Sequence, residues 1–202
     1  MQKQDPTFQQ YLKNKEAVDQ YLEYLSWETH LPVAHVVKQN NIRQYQQKYQ
    51  FQVFVETGTF LGDMVEAQKT QFSKVISVEL GEDLYQKALR RFQHDPHVTL
   101  LQGDSGVRLK EVVASLDEPA LFWLDGHYSA GITAKADKNT PVLEELKTIF
   151  SSALPHGILI DDARHFVGQD DYPSIDELCF LVKEHAPQRK VEVADDIIRI
   201  MP

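Results

Sequence analysis

The closing segment of the chain limits the fold more than any other part of the sequence. Lys190-Val-Glu-Val-Ala-Asp-Asp-Ile-Ile-Arg-Ile-Met201 holds two strand-like, β-branched runs on either side of Ala194-Asp195-Asp196. Parallel strands need a crossover of about a dozen residues, so runs this close together must pair antiparallel as a hairpin. Any sheet that includes both of them contains a reversed strand.

Upstream of the hairpin the chain alternates short apolar runs with helical ones, the rhythm of a parallel sheet built from βα units. The predicted strands are Phe51 to Glu56, Lys74 to Leu80, Val98 to Gln102, Ala120 to Asp125 and Gly157 to Asp161. The predicted helices are Asp63 to Phe72, Glu82 to Phe92, Ser105 to Leu116, Val142 to Ser152 and Ser174 to His185. The expected fold class is α/β: a doubly wound, mostly parallel seven-stranded sheet with an antiparallel C-terminal hairpin. Ligands of such sheets sit beyond the carboxyl ends of the strands.

Residues 1–50 read differently. They are rich in Gln, Tyr, Lys and Glu, with Tyr11, Val18, Tyr21, Leu22 and Leu25 at helical spacings and an interruption at Leu31-Pro32. This predicts an N-terminal helical extension, serving as a lid or a homodimer contact, followed by one catalytic domain over residues 51–202. A chain of 202 residues has room for one core with an extension.

Composition narrows the function classes. A net charge of −9 opposes binding to a nucleic-acid backbone or an anionic membrane, so neither is expected as a partner. The N-terminus lacks the apolar stretch of a signal peptide and no window approaches the roughly 18 apolar residues of a membrane span. The single Cys179 forms no internal disulfide, which fits a reducing compartment. The expected location is cytoplasmic.

The chemistry-bearing residues fall at the predicted strand ends. The first strand runs into Glu56-Thr57-Gly58-Thr-Phe-Leu-Gly62, where an acid precedes two glycines that bracket a turn into a helix. Glycine lets a ligand approach the backbone, and the helix start offers free N–H groups. Many βα turns carry two glycines for steric reasons alone, so this turn by itself decides little. Glu79 closes the second strand 23 positions after Glu56. That is near the offset of about 20 at which a carboxylate meets a ribose in nucleotide-binding βαβ units, although a strand-end acid also serves as a helix cap. Asp104, followed by Ser105, ends the third strand; it either reaches an exocyclic amine such as that of adenine or caps the next helix.

In these motifs the sequence resembles the class I S-adenosylmethionine-dependent methyltransferases over roughly residues 50–202. Glu56 to Gly62 looks like the family's first motif in its Glu-x-Gly-x-x-x-Gly form, Glu79 like its ribose-binding acid and Gly103-Asp104 like its adenine-side motif. The resemblance implies S-adenosylmethionine as cofactor, held by Glu56, Thr57, Gly58, Gly62, Glu79, Asp104 and Ser105.

Two more strand ends suggest a subgroup. Asp125, in Leu124-Asp-Gly-His-Tyr128, and Asp161-Asp162 should converge on one rim, and three carboxylates suit a hard cation such as Mg²⁺. This resembles the metal-dependent O-methyltransferases of the catechol and caffeoyl type and those acting on macrolide sugars. Helix capping, or an ion pair with Arg164, is the structural alternative. A lysine commonly used as base in the catechol group is missing after Asp125, and His127 is the candidate in its place, with His165 second. His127 and Asp125 are the expected catalytic residues. The polar stretch 129–141 reads as a loop contacting the methyl acceptor, with Tyr128 and Tyr172 as candidate walls.

The sequence therefore points to methyl transfer to a hydroxyl of a small molecule, a sugar or secondary metabolite. A nicotinamide-dependent oxidoreductase, a non-catalytic cofactor-binding module and metal-independent methylation of nitrogen or carbon are the competing readings.

Overall fold

A computed structural model describes residues 32–126, 140–169 and 171–202. His127, Tyr128 and nearly all of the loop 129–141 lie outside the described residues, as do the proposed helices of residues 1–31.

The described chain opens with helix α1 (His35–Tyr49) and continues as βα units. These are β1 (Val53–Thr57), α2 (Asp63–Gln68), β2 (Lys74–Glu79), α3 (Glu82–Arg91), β3 (Val98–Gln102), α4 (Ser105–Ala114), β4 (Ala120–Leu124), α5 (Val142–Phe150) and β5 (Gly157–Ile160). A short 3₁₀ turn (Ala163–His165), α6 (Ile175–His185), β6 (Lys190–Ala194) and β7 (Ile197–Met201) complete it. The strands and helices predicted for residues 51–202 are all present, with ends that differ by a few residues.

The sheet has seven strands in the order β3-β2-β1-β4-β5-β7-β6. β1 to β5 pair parallel, whereas β7 runs antiparallel to both β5 and β6. The hairpin turn, Asp195-Asp196, takes φ values of 53° and 58°, the paired left-handed conformation of a tight hairpin whose twist matches its strands. Asp tolerates that region better than most residues.

Both faces of the sheet are covered, so its central strands are apolar throughout rather than alternating. The period of two then divides each strand between two cores. Val53, Val55, Phe122, Leu124, Ile158 and Ile160 pack with Leu109, Leu146 and Leu178 on the face covered by α4, α5 and α6. Phe54, Leu121, Trp123 and Leu159 face the opposite core, with Met64, Ala88 and Phe92. Ile42 and Tyr45 of α1 belong to this second core, so the last part of the N-terminal extension is built into the main body.

No helix among the described residues is long and apolar enough to cross a membrane.

Candidate active site

The order β3-β2-β1-β4-β5 brings the carboxyl ends of five parallel strands to one rim. The alternation within β1 sends Glu56 to the α1 side and Thr57 to the α4–α5 side, and both are buried. Glu56 Oε2 accepts a 2.5 Å hydrogen bond from Ser77 Oγ, which also meets Thr59 Oγ1 at 2.6 Å. Burial holds the Glu56 carboxyl well above its ordinary pKa; the charges of Asp125 and Glu79 add to the rise, and the Ser77 bond opposes it.

The glycines of the turn are conformationally required. Gly58 has φ +85° and Gly62 φ +83°, a region in which side chains are strained. Gly58 also packs against backbone, and a β-carbon there would meet the Asp125 carbonyl carbon at 2.9 Å. At Gly62 it would meet the Phe92 ring at 2.8 Å.

Glu79 fixes this turn from the neighbouring strand. Its two carboxylate oxygens accept the amides of Phe60 and Gly81, each at 2.8 Å. Asp104, the half-buried N-cap residue of α4, makes no side-chain cap bond with the helix. The capping alternative is thus not the arrangement adopted. Ser105 follows as the first residue of α4 and is buried.

Beneath Thr57 and Ser105 lies Glu145 of α5, which sequence reasoning overlooked. Its carboxyl sits beside both hydroxyls, yet neither Glu145 Oε1 nor Thr57 Oγ1 has a hydrogen bond of good geometry. Burial pushes the Glu145 pKa up to about 7, against the Ser105 and Thr57 hydroxyls. The signal was available: Glu145 falls on the buried stripe of α5 with Val142, Leu146 and Ile149.

The second cluster stands at the ends of β4 and β5. Asp125, Asp161 and Asp162 each present a carboxylate oxygen within 4.8 Å of the others. Asp162 adopts φ 56° and opens the 3₁₀ turn, while its amide donates to Asp161 Oδ1 at 2.8 Å. The hairpin supports the turn: Asp196 accepts the Ala163 amide on its carbonyl and the Arg164 amide on its carboxylate, both at 2.8 Å. The Arg164 guanidinium bridges Asp162, at 2.7 Å, and Asp196. The anticipated ion pair between Asp162 and Arg164 is present together with the acidic cluster.

Lys38 was not anticipated. From α1 its ammonium donates to Asp161 Oδ2 and stands 3.5 Å from Asp162 Oδ1. Burial works against its charge, but Asp161, Asp125 and Asp162 outweigh it and raise its pKa. Burial, followed by the charges of Asp125 and Asp162, pushes Asp161 up to about 8 against the opposing effect of Lys38. No local feature of the sequence separates Lys38 from the other polar residues of its helix. His35, one turn earlier, has its pKa lowered by desolvation and by Lys38, against Asp63 and Asp125.

His165 lies in the 3₁₀ turn with its ring 5.6 Å from that of Tyr172, which also meets Phe166 edge-on at 5.4 Å. Burial raises the Tyr172 pKa, and the charges of Asp162 and Asp125 raise it further. Tyr172 also lines an open cleft of about 430 Å³ with Leu143, Gln169, Pro173 and Phe180.

Comparison with solved structures matches this fold over nearly the whole chain. The Podospora anserina methyltransferase PaMTH1, bound to SAH, is similar at a TM-score of 0.60 and 15% identity, over 100% of this chain and 97% of that one. This chain has the class I methyltransferase fold. The O-methyltransferase from Bacillus cereus in complex with SAH shares that fold at a TM-score of 0.58 and 14% identity, over 93% and 90% of the two chains. The O-methyltransferase TomG from Streptomyces achromogenes, in complex with SAM, does so at 0.55 and 14%, over 92% and 86%. No protein-family model matches the sequence, and no curated protein matches it. The strand order puts Glu56, Gly58, Glu79, Asp104, Asp125 and Asp161 at or just past the carboxyl ends of the parallel strands.

Proposed function

We propose that this protein is an S-adenosylmethionine-dependent methyltransferase that acts on a hydroxyl of a small molecule, a sugar or secondary metabolite, in the cytosol. The observation that carries the reading is the row of acids at successive strand ends, Glu56, Glu79 and Asp104, around a turn whose Gly58 admits no side chain. A sulfonium cofactor is positively charged, and its adenosine offers hydroxyl and amine donors to such acceptors. The fold shared with SAH-bound and SAM-bound methyltransferases supports the same assignment.

In this reading Asp104 takes the exocyclic amine of the adenine and Glu79 the ribose, using lone pairs beyond those that hold the Phe60 and Gly81 amides. The turn from Glu56 to Gly62 lies against the amino-acid end of the cofactor. When bound, the cofactor would supply its methyl group to the acceptor oxygen, with the electron pair of the broken carbon–sulfur bond leaving on sulfur. The hydroxyl proton would pass to a base, for which His127, two positions after Asp125 in sequence, is the candidate. Holding the two reactants in line is worth about 7–11 kcal/mol.

The donor chemistry of Asp125, Asp161 and Asp162 suits Mg²⁺, for these are hard oxygen ligands within 4.8 Å of one another. When bound there, a divalent ion would lower the pKa of an acceptor hydroxyl. Tyr172 and the cleft beside it form one wall for the acceptor.

Calorimetric titration tests the reading, with S-adenosylmethionine against a nicotinamide dinucleotide, with and without Mg²⁺. Binding of S-adenosylmethionine alone is expected. Binding of the dinucleotide in its place would refute the assignment.

A further inference from the structure

The acidic triad contains a cation that belongs to the protein. Lys38 reaches it from α1, 123 positions away in sequence, and its side chain is 14% exposed. It is hydrogen-bonded to Asp161 Oδ2, on a side chain fully shielded from solvent, and faces Asp162 Oδ1 at 3.5 Å. Arg164 approaches Asp162 as well but is engaged with Asp196 of the hairpin.

A divalent ion among these oxygens would have to sit within about 2.0–2.6 Å of each ligand. An ammonium bonded to Asp161 Oδ2 and 3.5 Å from Asp162 Oδ1 engages the oxygens such an ion would need, and the two positive charges repel. We propose that Lys38 is the resident cation of the triad and that it competes with divalent metal for Asp161 and Asp162. The inference rests on the reading of this rim as the acceptor site.

The competition is unequal for a physical reason. Lys38 is tethered by a helix whose Ile42 and Tyr45 are fixed in the core, so its local concentration at the triad is high and does not depend on solution conditions. A metal ion must shed water and displace it. Displacement would also remove the ion pair that ties the first turns of α1 to the rim, beside the small cluster of Val33, Val36 and Val37. Metal binding and order in α1 are thereby linked.

Mn²⁺ binding measured by electron paramagnetic resonance on the full chain tests this for wild type, Lys38→Met and Lys38→Met/Asp161→Asn. The expected result is at least about tenfold tighter binding in Lys38→Met, lost again in the double variant. Equal affinity in wild type and Lys38→Met would overturn the proposal. Should Lys38→Met fail to fold, amide hydrogen exchange of wild type answers the same question. Saturating Mn²⁺ should speed exchange over residues 35–41, and unchanged exchange there would overturn it. Calorimetry with S-adenosylmethionine on the same wild-type sample keeps the two ideas apart, because absent cofactor binding removes the methyltransferase reading and leaves the Mn²⁺ comparison intact.

Discussion

Gly58 and Asp125 are so closely apposed that a β-carbon on Gly58 would lie 2.4 Å from the Asp125 carbonyl oxygen. The obstacle is backbone at the end of β4, which no side-chain rotation relieves. Gly58→Ala should therefore strain the turn and part β1 from β4, on top of the roughly 1–2 kcal/mol cost of a left-handed conformation. The expected outcome is a melting temperature lower by several degrees and at least tenfold weaker binding of S-adenosylmethionine, measured by thermal denaturation and calorimetry.

Glu79 links the turn to the proposed ribose site, so its loss has two separable effects. Glu79→Ala leaves the Phe60 and Gly81 amides without their acceptor, and charge-assisted bonds of this kind are worth about 1.5–3 kcal/mol. A drop in stability without cofactor should accompany a drop in cofactor affinity. A variant as stable as wild type would show that the carboxylate does not hold the turn.

Glu145 makes stability depend on pH. Its folded pKa of about 7 lies above its ordinary value of 4.5, raised by burial. The folded form keeps a proton that the unfolded chain gives up, so stability falls as pH rises from about 4.5 through 7 and changes no further from this group above that. The loss is at most about 3 kcal/mol. Urea denaturation between pH 5 and 8 should show the decline in wild type and a flatter profile in Glu145→Gln.

Arg164 neutralises two shielded carboxylates, Asp162 and Asp196, whose side chains are 7% and 0% exposed. Arg164→Met would leave both without that partner, and breaking a buried pair from one side costs about 3–5 kcal/mol. Adding Asp196→Asn should recover part of the loss, because it removes one of the two charges that Arg164 had neutralised. Chemical denaturation of the single and double variants checks the coupling.

Much of this protein is legible from local sequence. The crossover argument at Lys190 to Met201 fixes an antiparallel end for the sheet, and β-branched runs alternating with helical ones fix its parallel part. Acids at the ends of β1, β2, β4 and β5, and after β3, fall on one rim because parallel strands all point the same way. These features depend on periodicity and chain reach, which each segment carries within itself.

Only the tertiary structure decides which charges meet. Lys38 joins Asp161 across 123 positions, and Arg164 joins Asp196 across 32. The fold also assigns two of the acids structural partners: Glu79 holds the Phe60 and Gly81 amides, and Glu56 takes the Ser77 hydroxyl. A charged side chain looks alike in sequence whether it meets water or a partner, since its cost or benefit is set by desolvation and by neighbours from other elements. Those neighbours exist only once α1, the sheet and the hairpin have packed together.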